Sequence, residues 1–376
     1  MKKIRIGITG QNGFLGKHLK NTLQHTCEDF DLINFERSYF ENSEKLQYFV
    51  KQCDVIVHLA GLNRHKDDNV IYKTNIELTK KLILACKNSD AKPHLLFSSS
   101  TQEERNNAYG NSKKEANRLF FNWANKESAP FTGLIIPNIF GPYGAPYYNS
   151  VVATFCYQLT HGESPQIDVD GTLRLIYVNE LVDMIVKQIR NKNPKKAEII
   201  NVNHTSELKV SVLLKKLSYF KDNYLKDGVI PDLSYQLDHQ LFNTFLCYVD
   251  HDQFFPFHLK KHSDDRGSFV ETVKLNSGGQ VSFSTTVPNI TRGNHFHIRK
   301  TERFAVIQGK ARIDFRKIDS DKIHSFELDG EQPSFVDMPI WYTHNITNIG
   351  TEILLTIFWI NEHYNPKDGD TYFVEV

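Results

Sequence analysis

From Ile4 to about Asn203 the chain alternates short β-rich apolar runs with amphipathic stretches. The runs are "IRIGIT", "DLINF", "DVIVHLAG", "HLLFSSS", "TGLIIPN" and "EIINV", and between them Phe14 to Leu23 and Asn75 to Lys87 carry apolar residues at helical spacing. Such alternation predicts a parallel sheet flanked by helices. After about Asn243 the texture changes to "SFVETVKL", "QVSFSTTVP", "RFAVIQGKARIDFRK", "HSFELDG" and "EILLTIFWI", separated by Gly, Asn, Asp and Pro. Many short strands without a helical period predict an antiparallel barrel or sandwich. The expected organisation is an α/β domain over residues 1–245, a connector over 246–256 that holds much of the aromatic "DQFFPFHL", and an all-β domain over 257–376.

Bulk composition narrows the function classes. A chain of 376 residues exceeds one compact core of ordinary size, which agrees with two domains. Lys plus Arg is 45 against 44 for Asp plus Glu, so there is no surplus charge of the kind that nucleic acid or an anionic membrane selects. Cys27, Cys53, Cys86, Cys156 and Cys247 are widely spaced and never form C-x-x-C, which points to neither a disulfide framework nor a thiolate metal site. The apolar run after Lys2 and Lys3 leads directly into a glycine turn, unlike a signal peptide, and no apolar stretch is long enough to span a bilayer. A cytoplasmic protein acting on a small molecule is the expectation.

Gly10, Gly13 and Gly16 follow the first strand and open the first helix. Glycines so placed let the backbone turn tightly and approach a pyrophosphate, which then rests on the free N–H groups of the helix N-terminus. The second strand ends in "NFERS", where an acidic residue would hold the adenosine 2'-hydroxyl and an arginine a 2'-phosphate. Glu36 and Arg37 stand side by side there; the fork geometry of a guanidinium favours Arg37 and NADP(H). Tyr109 and Lys113 are four apart in a helical segment, so they share a face, and a nearby ammonium favours the phenolate. Ser100, or its neighbour Thr101, ends the preceding strand and can hydrogen-bond a substrate oxygen.

"TGQNGFLG", "VIVHLAG", "FSSS", "YGNSK", "PNIFGPYG" and "RLIYVNELVDMI", in this order, resemble the extended short-chain dehydrogenase/reductase family over roughly the first 240 residues. The resemblance implies a Rossmann fold, a nicotinamide cofactor lined also by Asn12, Phe14, Leu15, Leu59, Ala60 and Gly61, and usually a nucleotide-sugar substrate. It implies Tyr109 as acid/base, Lys113 on the nicotinamide ribose and Asn138 near the substrate or nicotinamide. The gap between Ser100 and Tyr109 is shorter than the family's common pattern, which leaves Ser100 and Thr101 both open.

In the second half, His295 and His297 are two apart on an expected strand and so point to one face. Glu302 and His344 complete a nitrogen and oxygen set that suits Zn, Mn, Fe or Ni, with zinc the default. The pattern resembles the cupin (jelly-roll) family, matched by Gly293, His295, His297, Glu302 and Gly309, then by Pro339, His344 and Asn348, with Trp341 where the family often has glycine. "DDRGSFVE" followed by "TRGNHFH" also resembles the nucleotide-sugar 3,5-epimerases, in which the first histidine of RG-x-H is a base without metal. His295 thus has two readings, ligand or base, and His297 and Tyr342 are further acid/base candidates.

A 4-keto sugar unites the halves, because its ketone acidifies the neighbouring C–H bonds and is then the target of hydride. The whole chain resembles the bifunctional enzymes of capsule and O-antigen synthesis that form the precursor of UDP-N-acetyl-L-fucosamine, most specifically in "FSSSTQ", "AYGNSK" and "TRGNHFH". That resemblance implies C3 epimerisation of a UDP-2-acetamido-2,6-dideoxy-4-hexulose, NADPH-dependent C4 reduction to the L-talose sugar, a homodimer and a zinc ion. The alternatives are a single-activity reductase or epimerase with a dimerising cupin domain, and a nucleotide-sensing protein that retains the cofactor fold.

Overall fold

A computed structural model describes residues 3–194, 196–265, 267–363 and 365–376, with the backbone alone for residues 267–269. The chain divides into two compact units, Met1–Phe140 with Leu173–Glu207, and Gly141–Thr172 with Leu208–Val376.

The first unit is built on six parallel strands, side by side in the order Phe30–Ile33, Ile4–Thr9, Val55–His58, His94–Ser100, Phe131–Ile136 and Glu198–Asn201. Each corresponds to one of the apolar runs. Ile6, Ile8, Val57, Leu96 and Leu134 point to one face and pack with helices Phe14–Thr26 and Val178–Ile189. Ile56, Leu95, Phe97 and Phe131 point to the other, against Ser43–Gln52, Asp68–Ser89 and Ala108–Glu127. Burial on both faces explains why these strands read as continuous apolar runs and not as alternation. From Ile4–Thr9 the chain goes outward to Phe30–Ile33, then crosses back to Val55–His58 on the other side. That reversal opens a crevice at the carboxyl ends of the two central strands, the usual place for a ligand in such a sheet.

The second unit carries two five-stranded antiparallel sheets. In one, Phe257–His258, Ser334–Met338, Glu302–Gln308, Leu354–Ile360 and Gln280–Thr286 are neighbours; in the other, Ile323–Asp329, Lys310–Lys317, Tyr342–Asn348, Thr291–Phe296 and Tyr372–Phe373. Their facing side chains, among them Val306, Phe335 and Leu354 from the first and Ile313, Phe315 and Ile346 from the second, form one core, as in a cupin-like jelly roll.

One detail differs from the sequence pattern. The run "SFVETVKL" is a strand only at Gly267–Val270, paired with Lys261–Asp264. Its partner is diverted just upstream, where Leu259 donates to Pro333 O and Phe257–His258 pair with Phe335 and Ser334, so the ladder stops at Val270 and the segment beyond it pairs only through a bridge between Leu275 and Ile230. The stretch around the expected connector includes helices Gln236–Leu246 and His251–Phe254, and Phe255 is buried in the barrel core. Among the described residues no helix is long and apolar enough to cross a membrane.

A buried ion pair ties this unit together. Arg303 Nε and Nη2 donate to the Asp337 carboxylate at 2.8 and 2.9 Å, Nη1 donates to Gly228 O at 2.7 Å, and Tyr224 OH donates to Asp337 at 2.6 Å. The guanidinium lies 3.5 Å from the Phe335 ring centroid, and both charged side chains are 1% exposed. Removing one partner leaves a buried charge unpaired. Asp337→Ala is therefore expected to destabilise the protein by about 3–5 kcal/mol, read as a shift of the denaturation midpoint, whereas Arg303→Met with Asp337→Leu should cost far less.

Candidate active sites

The glycine turn is packed backbone against backbone. Gly10 has φ 79, and a Cβ there would stand 2.7 Å from Ala60 N and 2.8 Å from Leu59 C, so the turn presses against the strand-end residues Leu59 and Ala60. At Gly16 a Cβ would lie 2.2 Å from Gly10 O, so the helix closes on the turn. Gly13 is the N-cap of Phe14–Thr26 and has no side chain to block the free N–H groups; Gly13 and Asn12 are exposed, while Phe14 is half-buried and Leu15 is in the core. Gln11 Nε2 donates to Phe35 O at 2.8 Å, tying the turn to the residue before Glu36 and Arg37. Arg37 opens the short helix Arg37–Glu41, exposed, while Glu36 accepts from Ser38 Oγ at 3.2 Å.

The same crevice leads on to the catalytic candidates. A Cβ on Gly61 would stand 3.6 Å from Lys113 Nζ. Lys113 lies one turn after Tyr109 on Ala108–Glu127, with Nζ 5.7 Å from the Tyr109 ring centroid and 4.8 Å from that of Phe97. Its ammonium donates to Ser98 O at 2.8 Å, and burial, opposed by the Glu103 carboxylate, lowers its pKa from 10.5 to about 8. Ser100 ends its strand half-buried and accepts from Gln102 N at 3.2 Å as the cap of Thr101–Glu104. Thr101 is exposed one residue further on. Asn138 is exposed at the start of Asn138–Phe140, two residues beyond Ile136, which pairs with Ser100.

Three supporting residues carried no motif of their own. Glu103 accepts from Ser99 Oγ and from Asn117 Nδ2 at 3.2 Å, bracing the turn that carries Ser100 and Thr101. Asn75 clamps Leu62 through N–H and C=O at 2.7 and 2.9 Å and donates to Ser112 Oγ at 2.9 Å, beside Lys113. His58, whose pKa burial pushes down to about 3, pairs with Thr9 Oγ1 at 2.6 Å. Only the helical spacing of Asn75 hinted at a buried position.

In the barrel, His295 on Thr291–Phe296, His297 just beyond it, Glu302 at the start of Glu302–Gln308 and His344 on Tyr342–Asn348 come together. One donor atom from each lies within 4.8 Å of all the others. The Nε2 atoms of His295, His297 and His344 stand 3.9, 3.3 and 3.0 Å from Glu302 Oε2. Burial by itself would raise the Glu302 pKa, but the His297 and His344 imidazoles beside its carboxylate prevail and hold it well below the carboxylate range. Burial, reinforced by His344 and His297, lowers His295 to about 4. His297 Nε2 is fully buried and makes no well-formed hydrogen bond, although Glu302 is close. Three imidazole nitrogens and one carboxylate oxygen gathered within 4.8 Å of one another are a donor set that fits a divalent ion of the zinc type.

The remaining expectations fall as follows. Tyr342 packs with Phe315, His251 and Tyr143, and burial raises its pKa. Asn348 ends the strand Tyr342–Asn348 and donates to Thr286 O and Glu352 O at 2.8 Å each. Trp341 has φ 64, the left-handed region that favours glycine. Stacking on Phe296 at 5.4 Å, with backbone bonds to His297 O and from Ile318 N, offsets that strain. Arg266 of "DDRGSFVE" lies outside the described residues.

A parallel sheet with a glycine turn at its switch point and a Tyr/Lys pair beside it defines a class of nucleotide-dependent enzymes. Residues 6–203 match the NAD dependent epimerase/dehydratase family, and the chain belongs to that family. Residues 262–372 match the polysaccharide biosynthesis C-terminal domain. The chain is 32% identical over 376 residues to the UDP-2-acetamido-2,6-beta-L-arabino-hexul-4-ose reductase of Pseudomonas aeruginosa, covering 99% of each. The crystal structure of the capsular polysaccharide assembling protein CapF from Staphylococcus aureus is similar at 34% identity and a TM-score of 0.64, over 99% of this chain and 100% of that one. The NADPH complex of RMD from Pseudomonas aeruginosa, 20% identical over 58% of this chain and 83% of that one with a TM-score of 0.53, shares the fold.

The burial of Lys113 has a measurable signature. Its folded pKa of about 8 lies below the ordinary 10.5, so between those values the unfolded chain holds the extra proton and stability rises with pH. The unfolding free energy of the wild type minus that of Lys113→Met should therefore climb from pH 8 to about 10.5 and be flat below pH 7.

Proposed function

We propose that the chain is a bifunctional nucleotide-sugar enzyme. Its all-β half epimerises C3 of a UDP-2-acetamido-2,6-dideoxy-4-hexulose, and its α/β half then reduces C4 with NADPH to UDP-2-acetamido-2,6-dideoxy-L-talose, for capsule or O-antigen synthesis. The observation that carries this reading is the coexistence of the Tyr109/Lys113 pair beside a coenzyme crevice with three imidazoles converging on Glu302. Full-length likeness to a 4-hexulose reductase supports the substrate class, and likeness to CapF supports the capsular setting. The division proposed is a reductase over residues 1–245, a connector over 246–256 and an epimerase over 257–376.

A bound nicotinamide supplies the hydride, and a bound divalent ion, zinc by default, supplies Lewis acidity toward a ketone oxygen. Tyr109 hands its phenolic proton to the C4 oxygen, Lys113 favours the resulting phenolate and orients the ribose, and Ser100 or Thr101 donates to the same oxygen. Arg37 holds the 2'-phosphate; the glycine turn, Asn12, Phe14, Leu15, Leu59, Ala60, Gly61 and Asn138 line the coenzyme. His295, His297, Glu302 and His344 hold the ion. Support for His295 as ligand and not base comes from its Nε2, which faces Glu302 together with the other two. A homodimer is proposed on the edge strand Gln280–Thr286, which exposes Val281 and Phe283, and a cytoplasmic location on five free cysteines.

A second reading, a reductase whose barrel is not catalytic, is favoured by one observation: the Pseudomonas relative, alike over its full length, is named for reduction alone. The two separate when the protein meets a UDP-linked 4-keto-6-deoxy-HexNAc in deuterated water, with and without NADPH, followed by NMR. Tyr109→Phe should slow NADPH oxidation by about 100- to 10,000-fold and leave deuterium exchange at C3 intact, while Glu302→Gln should abolish that exchange. Loss of both activities in folded Tyr109→Phe would contradict the division of labour, and absence of exchange in the wild type would leave the second reading.

A further inference from the structure

The three candidate ligand histidines differ in what holds their outer nitrogens. His344 Nδ1 donates to Tyr342 O at 3.1 Å and His295 bonds the Gly293 backbone, each on its own strand. His297 Nδ1 instead donates to the carbonyl oxygen of Asp370, 73 residues along the chain. Donation from Nδ1 leaves Nε2 as the lone pair, the tautomer a ligand needs.

That carbonyl is anchored from several sides. The Asp370 carboxylate accepts from the backbone N–H groups of Ile298, Arg299 and Lys300 at 3.2, 3.1 and 3.1 Å. Lys300, 2% exposed, donates from Nζ to Gly369 O at 2.6 Å. Further on, Val374 N donates to Asn294 O at 3.0 Å and Thr343 Oγ1 to Val374 O. Asp370 has φ 44 and is 5% exposed, so a left-handed, buried aspartate is held where it binds three successive amides. One side chain thereby fixes the backbone after His297 and the carbonyl that meets the imidazole.

We propose that the C-terminal stretch from Gly369 to Val374 is the outer support of the metal centre, and that Asp370 is a positioning residue fixing His297 in its metal-binding tautomer and orientation. The inference rests on the metal reading of His295, His297, Glu302 and His344. No signal near Asp370 in the sequence announces it, since "PKDGDTYF" follows the last long strand.

The test is titration of the metal-free full-length protein with Zn2+ against a chromophoric chelator, together with the visible spectrum of the Co2+ form and the thermal midpoint of the metal-free form. Asp370→Ala should weaken Zn2+ binding roughly 10- to 100-fold and alter the Co2+ bands. Asp370→Asn keeps an acceptor oxygen and tolerates positive φ, so it should recover most of the affinity. Lys300→Met, which removes the Gly369 anchor, should weaken binding in the same direction by less, and it carries the test if Asp370→Ala does not fold. Wild-type affinity and spectrum in folded Asp370→Ala, or unchanged affinity in Lys300→Met, would overturn the inference while the metal reading stands. A wild-type protein that takes up neither ion would overturn both.

Discussion

A carboxylate buried in an apolar barrel is the constraint on which the second unit turns. An ionised group taken out of water costs several kcal/mol unless it is paired and hydrogen-bonded. Glu302 meets that demand with three imidazoles drawn from two other segments, and the demand propagates outward. Each imidazole needs its other nitrogen occupied, which requires the carbonyls of Tyr342 and Asp370 and the Gly293 backbone. The next residue, Arg303, buries a second charge whose partners Asp337, Tyr224 and Gly228 are separate from the first set. Two adjacent residues on one strand thus anchor two independent polar networks. This explains why a run as polar as Lys300 to Arg303 can be almost wholly buried.

The first unit solves the opposite problem by the same means. Lys113 is a buried cation placed beside aromatic rings and satisfied by a single carbonyl, that of Ser98. Its support is deliberately incomplete compared with that of Arg303, which has a carboxylate in bidentate contact. The consequence is a lysine with a pKa near the working range, and an arginine that is permanently charged. On the proposed function, Lys113 is the group kept available for a bound coenzyme, and Arg303 is structural.

The contrast also explains what the sequence makes legible. Parallel strands buried on both faces must be apolar throughout, so all six were visible as runs, and the glycines at 10 and 16 were visible because backbone meets backbone there. His295, His297, Glu302 and His344 were visible because three histidines and a glutamate so closely spaced on expected strands are a rare residue set. Glu103, Asn75 and Asp370 were not. Each acts through one or two long-range hydrogen bonds, and Asp, Glu and Asn occur so often on surfaces that residue type alone carries little information. The truncated strand at Gly267–Val270 failed for a related reason: pattern indicates that a segment can pair, but its partner was already committed to Pro333 and Ser334. Trp341 is the informative exception, since a departure from glycine at a left-handed position is paid back by an aromatic stack that no local pattern predicts.

On the proposed function, chemistry fixes the order in which the two sites act. Removal of the C3 proton is feasible only while C4 is a ketone, because the carbonyl delocalises the charge left behind. Epimerisation alone is reversible and yields a mixture set by the relative stability of the two ketones. Reduction removes the carbonyl, and with it the acidity at C3, so the configuration present at that moment is retained. A reductase crevice that accepts one C3 epimer in preference to the other therefore draws the mixture through to a single product. The selectivity that matters resides around Tyr109, Ser100 and Thr101, while the metal centre need only be fast.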